Sequence, residues 1–377
     1  MAKKKQTEGK YKLNKDGYYR TTFTVIDVHG KKKRIPLRDK DPVQLEIKLR
    51  EKQFEYERGL LVVNSKSTVE KWALEWLKTY KKDKVGQGTY DDYKQKINNI
   101  IIPAIGFLPL SEIKQYQLQG ILNMQNGSKS NAKKIKNTIE QIFSTAEING
   151  LINRNPAIGL ELPKLTDGKR RSITEEEREV ILKVANYHRA GLWIKIMLYC
   201  GLRPSEAIVL NRTDIDIKNK FISVTKALEL KTGKIKSPKT ASGYRKAPIP
   251  DILINDLKQL NCIGPIFTQP TTGKQHTGES MRCMWESFKR AMNIEMGAKV
   301  YRNQIKKEDE KVAADLTPYC LRHTYGTDLQ NAGVPINVAK YLMGHSDIAV
   351  TANIYTHHTE EASLQALESM NNYYKAM

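Results

Sequence analysis

Hydrophobic positions along this chain change period three times, and the changes mark its parts. Through Tyr18–Ile26, and again from Lys31 to Leu37, apolar and β-branched residues alternate with polar ones, the spacing of half-buried strands. Asp16-Gly17 and His29-Gly30 punctuate them as turns. Tyr11–Asn14 reads as a preceding strand, so a three-stranded sheet is expected. Asp41-Pro42 then has the form of an N-cap with proline at the first helical position. Val43, Leu45, Ile47 and Leu49 alternate in a way that also suits a strand. The Glu, Lys, Arg and Gln residues between them, as far as Gly59, favour a helix packed on the sheet.

From residue 66 to 165 the period is helical. Ser67 and Glu70 form a capping box opening Val69 to Lys84, and Thr89 starts a helix from Tyr90 to Ile102 that Pro103 should stop. Ser111 starts another to about Gln125, and Lys129 to Ile148 ends at Asn149-Gly150. Asn155-Pro156 and the stretch from Leu162 to Arg171 read as linker. A Thr174/Glu177 capping box opens a helix to about Tyr187, and a second runs from Ala190 to Tyr199. Past Leu210 the period returns to two, in Phe221–Val224, Lys234–Ser237 and Arg245–Pro250, with a loop around Pro238-Lys239-Thr240. Helices resume at Asp251. The last, from Glu360, is amphipathic through Ala362, Leu364, Leu367, Met370 and Tyr374. The expected fold class is mainly α with small β-sheets, in three domains: 1–62, 63–165 and 166–377.

A chain of 377 residues exceeds one ordinary core, which agrees with that division. Charge narrows the function. With 63 Lys and Arg against 41 Asp and Glu, the net charge is +22, which calls for a polyanionic partner. A membrane surface is the weaker choice, because the longest apolar runs fall far short of a span and the N-terminus lacks an apolar signal segment. Cys200, Cys262, Cys283 and Cys320 lie far apart with no Cys-x-x-Cys pair. This argues against a zinc site and a disulfide framework and fits a reducing cytoplasm. Candidate DNA contacts are Arg20, Lys31, Lys32, Lys33 and Arg34 in the sheet, Lys133 and Lys134 in the helical part, and Arg170 and Arg171 in the linker. The plain alternative is a solvated helix face, or lysines that block strand pairing at a sheet edge.

The chemistry lies in residues that come in one order: Arg203, Lys239, Arg322, His345, Tyr355. Their settings are Gly201-Leu-Arg-Pro-Ser-Glu206, Pro238-Lys-Thr-Ala-Ser-Gly-Tyr-Arg-Lys-Ala-Pro-Ile-Pro, Leu316-Thr-Pro-Tyr-Cys-Leu-Arg-His-Thr, and Leu342-Met-Gly-His-Ser-Asp followed by Ile354-Tyr-Thr-His. Each motif alone is weak, and an isolated arginine or tyrosine is more often a surface ion pair or half-buried core. Four in order over about 150 residues resemble the tyrosine recombinase (phage integrase) family, in particular integrases of phages and conjugative transposons. The resemblance covers most of the chain and is most specific from about residue 175 onward.

A phenol is mostly protonated at neutral pH and must lose its proton to attack phosphorus. Two guanidiniums can fork the non-bridging oxygens while staying charged throughout, which suits Arg203 and Arg322. The resemblance implies that Tyr355 is the nucleophile, that Lys239 protonates the leaving 5′-oxygen, and that His345 hydrogen-bonds the phosphate or assists proton movement. Glu206, one helical turn after Arg203, would orient that arginine or a neighbour. The product is a 3′-phosphotyrosine, so neither a metal nor another cofactor is needed. The family usually carries histidine where this chain has Tyr319, which can donate a hydrogen bond but cannot act as a base near neutral pH.

The resemblance further implies arm-type DNA binding by 1–62, core-site binding by 63–165 and an α+β catalytic domain at 166–377. It implies a homotetramer on double-stranded DNA coupled through the C-terminal tail, with an excisionase or DNA-bending protein as accessory. A type IB topoisomerase and a catalytically altered DNA-binding regulator are the rival readings.

Overall fold

The computed structural model of the protein describes residues 10–26, 32–57, 67–166, 168, 171–238, 240–302, 304–352 and 370–371. It has two compact units, Met1–Gly168 and Lys169–Met377.

In the first unit β1 (Tyr19–Ile26) and β2 (Lys32–Asp39) pair antiparallel, from Tyr19 opposite Asp39 to Ile26 opposite Lys32. Helix α1 (Pro42–Glu57) covers one face of the pair. Val25 and Leu45 are fully buried, and Phe23 meets Tyr56 edge to face at 5.7 Å. The helix formers thus prevailed over the alternating apolar residues of this segment. The expected third strand shrinks to a single bridge between Leu13 and Tyr19. The chain turns at once, with the Gly17 N–H donating to Asn14 O and Gly17 at φ +79°. Lys10 and Tyr11 are drawn to Glu46 of α1 instead.

The helical part follows. Thr68, one residue beyond the expected Ser67, caps α2 (Val69–Trp76), its hydroxyl accepting from the Lys71 N–H. The helix runs on as a π turn over Leu77–Lys81. Helix α3 (Gln87–Lys96) passes through a second π turn, Ile97–Ile101, into α4 (Ile102–Ile105). Pro103 therefore does not end the helix. The π turn closes with the Ile102 N–H on Ile97 O, and the proline falls in the first turn of the next segment, where a missing N–H costs nothing. A 3₁₀ turn at Leu110–Glu112 delays α5 to Gln115–Asn123, and α6 spans the expected Lys129–Ile148 under a Ser128 cap. Trp72 donates to Ile142 O at 3.0 Å and Trp76 to the Thr145 hydroxyl at 3.1 Å, which fixes α2 to α6 across a core of Trp76, Ile97, Ile139 and Phe143.

The second unit opens with α7 (Glu175–Ala185) under the expected Thr174/Glu177 box, then α8 (Gly191–Cys200) and α9 (Pro204–Ala207). Strands β3 (Ile215–Asp216), β4 (Phe221–Val224), β5 (Ala227–Leu228), β6 (Ile235–Lys236) and β7 (Arg245–Pro248) follow. They form an antiparallel sheet in the order β3-β4-β7 and a separate β5-β6 hairpin. Next come α10 (Asp251–Lys258), α11 (Gly278–Glu295), a hairpin of β8 (Val300–Tyr301) and β9 (Gln304–Ile305), α12 (Pro318–Asn331), α13 (Ile336–Met343) and α14 (Ile348–Ala352). Helix α8 is apolar on almost every side because it runs through the middle, against α12, with Trp193, Ile194, Ile196 and Met197 fully buried. Cys200 and Cys320 are buried in this unit as small apolar groups, Cys262 is half-buried and Cys283 exposed. Among the described residues no helix is long and apolar enough to cross a membrane. Apart from Met370 and Asn371, the tail helix lies outside the described residues.

Candidate active site in the second unit

Helix α8 ends at Gly201 in the left-handed conformation, φ +63°. A side chain there is also excluded by space, since a Cβ would stand 2.1 Å from the Tyr325 ring of α12. Three residues on, Pro204 opens α9 with its φ already set for a helix, and its carbonyl accepts from the buried Trp193 indole at 3.2 Å. The elbow leaves Arg203 as the N-cap of α9. Glu206, one turn on, accepts from the Arg203 N–H at 2.9 Å and from its guanidinium at 2.6 Å.

Opposite this elbow stands the C-terminal end of α13, where Gly344 at φ +62° closes the helix and leaves carbonyls unpaired. Three consecutive carbonyls there each accept from a different arginine. Arg245 of β7 donates to Leu342 O at 2.8 Å, Arg322 of α12 to Met343 O, and Arg203 to Gly344 O at 2.9 Å. Arg322 also donates to Gly201 O at 2.6 Å, so each end of its guanidinium is fixed by a turn that a glycine permits. His345 follows the third carbonyl, and its Nδ1 lies 3.0 Å from the hydroxyl of fully buried Thr351 in α14.

Three guanidiniums around one carboxylate set the electrostatics. Burial pushes the Glu206 carboxyl up, but the Arg245 hydrogen bond and the charges of Arg245, Arg203 and Arg322 override it and bring it down to about 2. Burial, then the positive charges of Arg203 and Arg245, bring Arg322 down to about 9, still cationic at neutral pH. Burial and then Arg322, Arg203 and Arg245 bring His345 down to about 4, so its ring is neutral at pH 7. A neutral imidazole beside a surplus of positive charge can hydrogen-bond an incoming anion and take up a proton once that anion is seated.

Of the residues singled out in the sequence, Arg203, Glu206, Arg322 and His345 come together here. Tyr319 sits in the first turn of α12, partly exposed, one turn before Arg322 and close enough for its hydroxyl to bear on that guanidinium. His323, next to Arg322 on α12, is close enough to His345 for its charge to weigh on that ring. Lys239 and Tyr355 lie outside the described residues, as do Lys31 and Arg170. Arg171 is engaged by Glu177 at 2.6 Å and Asp315 at 2.8 Å, and both carboxylates hold its charge firmly in place. Lys133 and Lys134 are exposed on α6.

Alternation along β1 and β2 sorts the basic residues of the sheet. Arg20, Lys32 and Arg34 face solvent together with Arg38, directly across from Arg20, whereas half-buried Lys33 is on the alternate face. Arg20 also pairs with Asp16.

Sequence reasoning missed Arg245 and Thr351. The signal for Arg245 was its position: two residues before Ala247, it shares the inward face of β7, where an arginine needs a carboxylate partner. Thr351 gave no signal in the sequence.

The sequence matches the Phage integrase family over residues 171–362 and the Phage integrase central domain over residues 69–161. A tyrosine recombinase XerC-like protein of Caldanaerobacter subterraneus is 27% identical, over 99% of both chains. Among solved structures, the Tn1549 transposon integrase in complex with a circular intermediate DNA superposes with a TM-score of 0.66 at 21% identity, covering 80% of this chain and 99% of that one. A lambda integrase in a tetramer bound to a Holliday junction superposes at 0.54 with 17% identity, covering 90% of this chain and 96% of that one. Both share the fold.

Proposed function

Because this chain belongs to the phage integrase family, and the matched stretch contains the whole arginine cluster, we propose that the cluster holds the scissile phosphate for attack by Tyr355. The protein is a tyrosine recombinase, an enzyme of site-specific recombination. In the proposed step the Tyr355 phenolic oxygen forms a bond to phosphorus, and the bond from phosphorus to the 5′-oxygen breaks. Lys239 gives the departing oxygen its proton, and the phenol proton passes to His345 or to water. Arg203 and Arg322 neutralise the charge that gathers on the non-bridging oxygens, with Tyr319 adding a neutral hydrogen bond. Reversal of the step by another 5′-hydroxyl rejoins the strand.

The observation that carries this reading is convergence. Arg203 and Arg322, far apart in the chain, donate to adjacent carbonyls of the turn that also bears His345. A nicked duplex that loses a short 5′ fragment on cleavage tests it. Wild type is expected to accumulate a covalent adduct and Tyr355→Phe to form none; adduct in the Tyr355→Phe protein would refute the nucleophile assignment.

Residues 1–62, 63–165 and 166–377 then divide the work as arm-site binding, core-site binding and catalysis. The solvent face of the β1–β2 sheet, with Arg20, Lys32, Arg34 and Arg38, supports the first assignment. Exposed Lys133 and Lys134 suit phosphate contact in the second. Four copies act on DNA in this reading, as in the lambda integrase tetramer bound to a Holliday junction, and the tail couples them. An excisionase or DNA-bending protein would set direction, at DNA sites in the host nucleoid.

A further inference from the structure

We propose that Arg245 is a positioning residue for strand cleavage, acting through Glu206 and the Leu342 carbonyl to set Arg203 and the His345 turn against the phosphate. The inference rests on the reading of Arg203, Arg322 and His345 given above.

The side chain of Arg245 is wholly buried, so it does not reach DNA. All three of its nitrogens are engaged from within: Nε by Leu342 O at 2.8 Å, Nη2 by Glu206 Oε2 at 2.7 Å, and Nη1 by Glu206 Oε1 and Gly243 O at 3.3 Å each. Holding both Glu206 oxygens fixes the plane of the carboxylate. One oxygen is thereby aimed at the Arg203 guanidinium and the other at the Arg203 N–H. The same guanidinium supports the turn from below, since a Cβ on Gly344 would stand 2.9 Å from Arg245 Nη1.

A buried ion pair is weak evidence of stabilisation, because apolar residues of similar volume often serve as well. What the pair supplies here is direction: a planar fork defines two angles that a lysine ammonium cannot. Charge adds a second effect. Glu206 is faced by Arg203 from its own turn, Arg245 from β7 and Arg322 from α12. Without Arg245, burial pushes the carboxyl up toward proton uptake, and a protonated Glu206 holds Arg203 less firmly.

The test uses full-length Arg245→Met and Arg245→Lys on the nicked duplex. It follows the single-turnover rate of adduct formation from about pH 5 to about pH 9, alongside duplex affinity and thermal midpoint. Arg245→Met is expected to cleave about a hundredfold more slowly with duplex Kd within about threefold. An acid limb should rise into this range, where wild-type Glu206, held down to about 2, contributes none. Arg245→Lys should recover about tenfold over Arg245→Met.

A wild-type rate and profile in Arg245→Met overturns the proposal. So does a loss that is equal at every pH and parallels losses of affinity and thermal midpoint. If Arg245→Met does not fold, Arg245→Lys decides: a wild-type rate and profile overturns it, and slower cleavage with a raised acid limb supports it. The underlying reading fails separately, by adduct formation in Tyr355→Phe.

Discussion

Replacing Glu206 by glutamine removes one charge from the centre of the arginine cluster and almost nothing from its volume. The structure gives the cost in two ways. The carboxylate titrates near 2 against an ordinary 4.5, a difference that stabilises the fold by about 3 kcal/mol at neutral pH. Independently, removing one partner of a buried ion pair costs roughly 3–5 kcal/mol, because the other charge is left uncompensated. The sign follows from the depressed value. The stabilisation is fully present above the unfolded carboxyl's pKa and is lost as pH falls from 4.5 toward 2.

Urea unfolding followed by tryptophan fluorescence, at a series of pH values, measures the difference between wild type and Glu206→Gln in the transition of the second unit. That difference should be about 3 kcal/mol at pH 7 and shrink toward zero as pH approaches 2. A constant difference across that range would refute the assignment of an ionised, buried Glu206. Wild type alone is not informative, since Glu177 and Asp315, also held below their ordinary range by Arg171, lose stability in the same acid window.

Gly201→Ala combines a left-handed backbone, about 1–2 kcal/mol, with overpacking against the Tyr325 ring, about 1–3 kcal/mol. Calorimetry should show a drop in Tm of roughly 5–20 °C, and a drop below about 2 °C would contradict the close approach. In the sheet, Arg34→Ala and Arg38→Ala should each lower the salt slope of arm-site binding by roughly 0.9, read from binding isotherms at several salt concentrations. Lys33→Ala, on the other face, should leave the slope unchanged, and an equal effect there would sink the assignment of faces.

Elements set by strong local signals were legible in the sequence. Asn149-Gly150 ended α6, Thr174 and Glu177 opened α7, and β4 fell on Phe221–Val224. The misses came where one local rule met a competing contact. Pro103 was read as a stop, but a π turn placed it where proline is tolerated. The first strand lost its partner because Lys10 and Tyr11 turned to Glu46. The β8–β9 hairpin turns at Arg302, with φ +47°, a residue type that gives no turn signal. In the site, Arg203, Arg322 and His345 were legible through their order and setting. Arg245 was not, because a charged side chain on a strand reads as surface until its buried carboxylate is known. Lys33 was grouped with its neighbours by charge alone, whereas the pleat separates it from them.

The three arginines that grip Leu342, Met343 and Gly344 lie 97, 21 and 141 residues upstream of the carbonyls they hold. Ribosomes add about 5–20 residues per second. Arg203 is therefore made roughly 7–28 seconds before the loop it must clasp. A half-finished polypeptide carries these cationic side chains with no frame to aim them. On the proposed reading, the arginine cluster is aimed only once the Leu342–Gly344 turn has been made.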